Sequence, residues 1–164
     1  MVKRKVLNEL VILLIILLYG LLSVRTFFRR GTMPGWDHPF HIVNTYLTAR
    51  YFIPSGNILG WDPYNNLGWV FNQYYNPGAY LLSSIFYYIC GGNLDLAYKL
   101  TLVFVYLFPA VSAYLYMRTL TGDSLSSLYA AFVLLTVFDY ETPGLDAGLL
   151  QVYVIAMWPH RLGI

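Results

Sequence analysis

The sequence predicts an all-α membrane protein with about three transmembrane helices and amphipathic juxtamembrane helices in a long outer loop. Three observations predict it. Charged residues make up only 11% of the 164 residues and mean hydropathy is +0.55, whereas a soluble domain carries about 25% charge. The charge is absent from particular runs and not thinned evenly. Aromatic residues reach 18%, with 16 Tyr, and Trp and Tyr favour the membrane–water interface, where a ring is apolar and its N–H or O–H is wet. The same balance argues against disorder, nucleic-acid binding and an ordinary cytosolic enzyme. A net charge of +2 is too small to imply a polyanionic partner. The single cysteine, Cys90, permits no intrachain disulfide and leaves the redox compartment unread.

Residues 1–24 read as a cytoplasmic N-terminus and first transmembrane helix. Lys3-Arg4-Lys5 precede a Leu/Ile/Val run from Leu10 to Val24 that Val6 and Leu7 extend upstream. A signal peptide has the same basic start, but no small-x-small cleavage site follows, which favours an uncleaved anchor. Residues 96–118 read as the second transmembrane helix: Leu100 to Met117 carries no charge and contains Pro109, which removes one helical hydrogen bond and predicts a kink. Residues 124–138 read as the third, although Ser124 to Phe138 gives only about 22 Å of helix and spans only with local thinning. The segment 139–164 reads as an outer acidic stretch followed by the start of a truncated further helix.

Pro77 to Cys90 is apolar but short, and turn signals bound it: Asn76-Pro77-Gly78 before and Gly91-Gly92-Asn93 after. That length reads as interfacial or re-entrant. The basic residues Lys3, Arg4 and Lys5 place the N-terminus in the cytoplasm. If 77–90 does not cross, Arg118 is cytoplasmic and Asp139 to Asp146 lie outside; if it crosses, these change sides. The first arrangement is preferred. Under it Arg25, Arg29, Arg30 and Arg50 stand outside, against the charge bias.

The outer loop, residues 25–95, gathers four Arg, three Asp, two His and seven Asn, with three of the four Trp. An amphipathic helix is expected at about 38–52. Asp37 suits its N-cap and Pro39 its first turn. Phe40, Val43, Leu47 and Tyr51 recur at helical spacing on one side, with His41, Asn44, Thr45 and Thr48 on the other, so the helix is expected to lie in the interface plane with its polar side wet.

Candidate chemistry sits at the start of that helix. Asp37 and His41 are four residues apart and His38 lies between them. Asp37 suits a general base on an acceptor hydroxyl. With His38 or His41 it suits a divalent-cation ligand, Mg or Mn. The helix start with a His also suits a phosphate. Against these stands the plain reading in which Asp37 only caps the helix and the His residues are wetted. Trp61, Trp69, Tyr74 and Tyr75 alternate with amides in a turn-rich stretch. That pattern suits a sugar-contacting surface, and equally an interface belt. Asp62 before Pro63 reads as a turn former. Glu141 and Asp146 are candidate metal ligands with Asp37, or part of a solvated acidic loop. Lys99 reads as a snorkelling residue and Arg118 as a cytoplasmic anchor.

The order of these parts resembles the N-terminal part of a GT-C glycosyltransferase. The residues that carry the resemblance are Gly35-Trp36-Asp37-His38-Pro39-Phe40-His41, Trp61-Asp62-Pro63, Tyr74-Tyr75-Asn76-Pro77-Gly78-Ala79-Tyr80-Leu81-Leu82, then Ala97-Tyr98-Lys99 leading into the second span and Tyr114-Leu115-Tyr116-Met117-Arg118 ending it. More narrowly, the chain resembles membrane proteins labelled 6-pyruvoyl-tetrahydropterin synthase-related, and YfhO-like membrane proteins. The resemblance implies a partial GT-C-like fold in the cell membrane. It also implies transfer of a sugar from a lipid-phosphate-linked donor to an acceptor outside, with the early outer-loop acid falling on Asp37 and His38 and His41 in the same motif. The alternative is a non-catalytic membrane protein whose aromatic loop binds glycan, lipid or a partner subunit. Such enzymes have more spans than this chain, so a missing C-terminal part is expected to complete the donor groove.

Overall fold

The computed structural model describes residues 2–33, 35, 37–63, 68 and 70–136. Trp69, Glu141, Asp146 and the whole segment 139–164 lie outside the described residues, as does the side chain of Tyr74. The described part is all-α. It has five helices of ten residues or more, α1 (Val2–Ser23), α2 (His38–Leu47), α4 (Pro77–Ile89), α5 (Leu94–Thr121) and α6 (Ser124–Thr136), with a single helical turn, α3, at Phe71–Tyr74.

Two of the helices, α1 and α5, are long and apolar enough to cross a membrane. The expected third span, 124–138, is described only over α6, Ser124–Thr136, a shorter apolar helix of 13 residues. Pro109 does not interrupt α5, which runs unbroken for 28 residues. The Asn93 side chain caps the start of α5 by accepting from Leu96 N at 3.1 Å, and Gly122, at φ 68°, ends it in the left-handed region. The chain then reverses at once, because Asp123 Oδ2 accepts from Ser126 N at 2.7 Å and starts α6.

α5 and α6 form a hairpin and α1 packs against both. Ile16 and Gly20 of α1 are buried in this seam. A Cβ on Gly20 would run into Leu107 of α5, so the glycine sets how closely the two helices approach. Tyr106 donates to Leu135 O at 2.6 Å and ties α5 to α6. The opposite side of α1 is different. Val6, Leu7, Leu10, Leu14, Leu18 and Leu22 all stand exposed.

Two polar clusters close the ends of this bundle. At one end Glu9 of α1 accepts from Arg118 Nε at 3.0 Å, from Ser124 Oγ at 3.2 Å and from the Tyr114 hydroxyl. At the other, Lys99 is buried and its ammonium donates to Arg29 O at 3.0 Å, Gly31 O at 2.7 Å and Asp95 Oδ2 at 2.7 Å. Lys99 therefore does not snorkel; all three of its protons are used, and they fasten the chain after α1 onto α5. Because the start of α1 meets the end of α5, the two helices are antiparallel.

Candidate functional site

α2 begins at His38, with Pro39 in its first turn and Asp37 before it. Asp37 makes no side-chain capping bond, contrary to the capping role expected of it; its carboxylate is exposed at the helix start. The helix turns its polar side inward, which corrects the expectation of a wet polar face. His38 is 0% and His41 1% exposed, and Asn44, Thr45 and Thr48 are buried with them, while Val43 is 44% and Tyr51 50% exposed. The expected helix of about 38–52 is α-helical only to Leu47 and passes into a π-turn over Thr48–Phe52.

The partner of that polar side is α4. Its residues Tyr80, Ser83, Ser84 and Tyr87 recur at helical spacing and are all buried, while Ile85, Tyr88 and Ile89 remain exposed. The two stripes meet in register. His41 Nδ1 lies 2.5 Å from the Tyr80 hydroxyl, Thr45 Oγ1 lies 2.9 Å from Ser83 Oγ, and the Tyr88 hydroxyl donates to Ala49 O at 2.5 Å. Position numbers rise together along both helices, so α2 and α4 are parallel. His38 Nδ1 lies 2.8 Å from the Tyr98 hydroxyl and ties the start of α2 to α5. The His41 ring stacks on Tyr80 with centroids 5.8 Å apart and lies 6.0 Å from Tyr75. Asn44 Oδ1 and Thr48 Oγ1 are buried without a partner among the described residues, so the seam is more polar than its own bonds satisfy.

Of the residues expected to act, the structure thus brings Asp37, His38, His41 and Tyr75 together. Burial, and after it the charge of Asp37, push the Tyr75 phenol above its ordinary value. Tyr80 and Tyr98, to which the sequence assigned no site role, hold the two histidines. Trp61 is 58% exposed and lies against Gly68. Asp62 is not a surface turn former; it is fully buried. Among the described residues no three His, Cys, Asp or Glu side chains are placed to hold a metal ion, and two members of the Asp37–Glu141–Asp146 set fall outside those residues.

The arrangement has a clear division of labour. Two buried imidazoles, each hydrogen-bonded to a buried phenol, fix the first turn of α2 in place. The exposed carboxylate of Asp37 is carried on that fixed turn, beside a half-buried phenol. No family model, curated protein or solved structure matches the chain.

Proposed function

We propose that the chain is a multi-pass protein of the cell membrane with its N-terminus in the cytoplasm. On this reading Asp37 is the general base of a glycosyl transfer from a lipid-phosphate donor to an acceptor hydroxyl at the outer surface. The observation that carries the catalytic part is the exposed Asp37 carboxylate on a helix start pinned by His38–Tyr98 and His41–Tyr80. A base needs an open approach and a fixed backbone beneath it; Asp37 is exposed and follows directly into the turn that the two histidines hold. His38 and His41 act as positioning residues on this reading, since their Nδ1 atoms are engaged with buried phenols.

Three features support the membrane placement. α1 exposes a leucine-rich side that water would penalise and lipid would not. α2 and α4 bury Ser, Thr, Asn and His against one another and turn Val43, Ile85 and Ile89 outward, an arrangement suited to hydrocarbon, where interhelical polar contacts replace hydration. Lys99 and Arg118 stand 19 residues apart on α5, which is about 28 Å along its axis and close to the hydrocarbon thickness of about 30 Å. The antiparallel pairing of α1 and α5 then puts Arg118 on the side of Lys3, Arg4 and Lys5, as the charge bias requires, with α4 not crossing.

The test is transfer by membranes expressing the chain, supplied with a panel of polyprenyl-phosphate-linked sugars. Asp37→Asn is expected to abolish product while leaving the protein in the alkali-washed membrane pellet; full retained activity removes Asp37 from the mechanism. The exposed Trp61 favours a second reading, a non-catalytic glycan- or lipid-binding loop. Under it Trp61→Ala weakens binding and Asp37→Asn changes nothing.

A further inference from the structure

The bundle has a second feature that neither Asp37 nor the His–Tyr pins use. Past α1 the chain makes a 3-10 turn over Arg25–Phe28 and then a bend at Gly31, whose φ of 92° requires glycine. This short stretch borders an open surface pocket of about 320 Å³ lined by Thr26, Arg29, Arg30 and Thr32, all but Thr26 exposed, together with the buried Phe27 and Met33. Phe27 and Met33 are anchored in the core at 2% and 4% exposure, so the floor is fixed. The rim is fixed as well, because the Lys99 ammonium holds the carbonyls of Arg29 and Gly31.

The chemistry of the lining is one-sided. The lining residues include two Arg and two Thr and no Asp or Glu. The ion pairs among the described residues are Lys99–Asp95 and Arg118–Glu9, so Arg25, Arg29 and Arg30 have no acidic partner there. The buried Lys99 behind the rim is paired with Asp95 at 2.7 Å, so the positive charge at the pocket comes from Arg29 and Arg30. Guanidinium forks match phosphate oxygens two at a time, and an apolar floor suits the carbon stem next to a phosphate. Position supplies the last argument. Three arginines directly after a first span, on the side opposite Lys3, Arg4 and Lys5, oppose the charge bias that orients membrane proteins. A specific anion held there accounts for their presence.

We infer that the Thr26–Met33 pocket is a binding site for a phosphate group, delivered by the headgroup of an anionic lipid at the outer membrane surface. This rests on the membrane placement proposed above and not on Asp37 chemistry. The test uses the full chain in nanodiscs of phosphatidylcholine with a minor share of phosphatidic acid, and native mass spectrometry counts lipid retained on the released protein. Retained phosphatidic acid is expected on the wild-type chain and on Arg50→Gln. The Arg29→Gln/Arg30→Gln variant is expected to bind at least tenfold more weakly, with an unchanged melting temperature. Equal retention by the double variant, or equal retention of phosphatidylcholine, overturns the site. Inorganic phosphate is the second arm. Failure of millimolar phosphate to displace the lipid identifies the headgroup as the source, whereas complete displacement overturns the lipid assignment in favour of free phosphate. Failure of the chain to enter nanodiscs at all is the separate failure of the membrane placement.

Discussion

Lys99→Met removes the ammonium that fastens the Arg29–Gly31 bend to α5 and keeps most of the aliphatic stem, so it isolates the charge. Three bonds are lost. The bond to Asp95 counts for little, because the Asp95 side chain is 44% exposed and rehydrates once its partner is gone. The weight falls on the bonds to Arg29 O and Gly31 O at 3.0 and 2.7 Å. A hydrogen bond to a charged group contributes about 1.5–3 kcal/mol, and partial rehydration of these carbonyls brings the sum for the two to about 3 kcal/mol. In a chain of this size each kcal/mol moves Tm by about 2–4 °C, so Lys99→Met is expected to lower Tm by about 6–12 °C in detergent. Asp95→Asn keeps both carbonyl bonds and is expected to cost under about 1 kcal/mol. Trypsin offers a second readout, since release of the bend exposes the backbone after Arg29 and Arg30. A Lys99→Met protein that melts with wild type and resists trypsin equally would refute the reasoning, as would an Asp95→Asn loss of the same size.

Three further outcomes are expected. A double-mutant cycle on His41 and Tyr80, read by unfolding in detergent, should give a coupling of about 1 kcal/mol, and no coupling would remove the pin. Gly20→Leu should weaken the α1–α5 seam by about 2–3 kcal/mol because the new side chain meets Leu107, whereas Leu18→Ala on the exposed side should change Tm far less. Asp123 caps α6, and its bonds to Ser126 hold its carboxyl below the ordinary value of 3.8. A depressed carboxyl stabilises above its unfolded pKa and loses that contribution as pH falls through the folded one. Asp123→Ala should therefore melt below wild type at pH 7 and approach it below the folded pKa, and a pH-independent difference would contradict the cap.

The helices were largely legible because long apolar runs and Asn or Gly stops depend on local chemistry alone. Leu94–Thr121 and Pro77–Ile89 lie within a few residues of their expected bounds. What local pattern did not determine was which face of α2 points inward. The pattern put Phe40, Val43, Leu47 and Tyr51 on a membrane-facing side in the interface plane with the polar side wet; in the structure Val43 and Tyr51 are exposed, whereas Leu47 and the polar side are buried. The signal for the opposite orientation was present in a second segment. Tyr80, Ser83, Ser84 and Tyr87 form a polar stripe at helical spacing inside an apolar run, and such a stripe needs a polar partner. His41, Asn44, Thr45 and Thr48 are that partner, but matching two stripes 39 residues apart requires tertiary pairing that no single window contains. Lys99 was hidden for a similar reason, since its acceptors are backbone carbonyls of a distant bend. Of the candidate site, Asp37, His38 and His41 were visible as a cluster; that Tyr75 of a separate stretch joins them, and the division between an exposed acid and buried, bonded histidines, were not.

The central claim is that α1 and α5 are antiparallel spans with polar clusters at opposite membrane faces. Cysteine accessibility tests it most directly. In a Cys90→Ser background, single cysteines replace Asn93, before α5, or Thr121, at its end, and a membrane-impermeant maleimide is applied to intact cells. The account predicts that the position 93 cysteine is labelled from outside, and that the position 121 cysteine is labelled only after the membrane is opened. Labelling of both positions from the same side would contradict it.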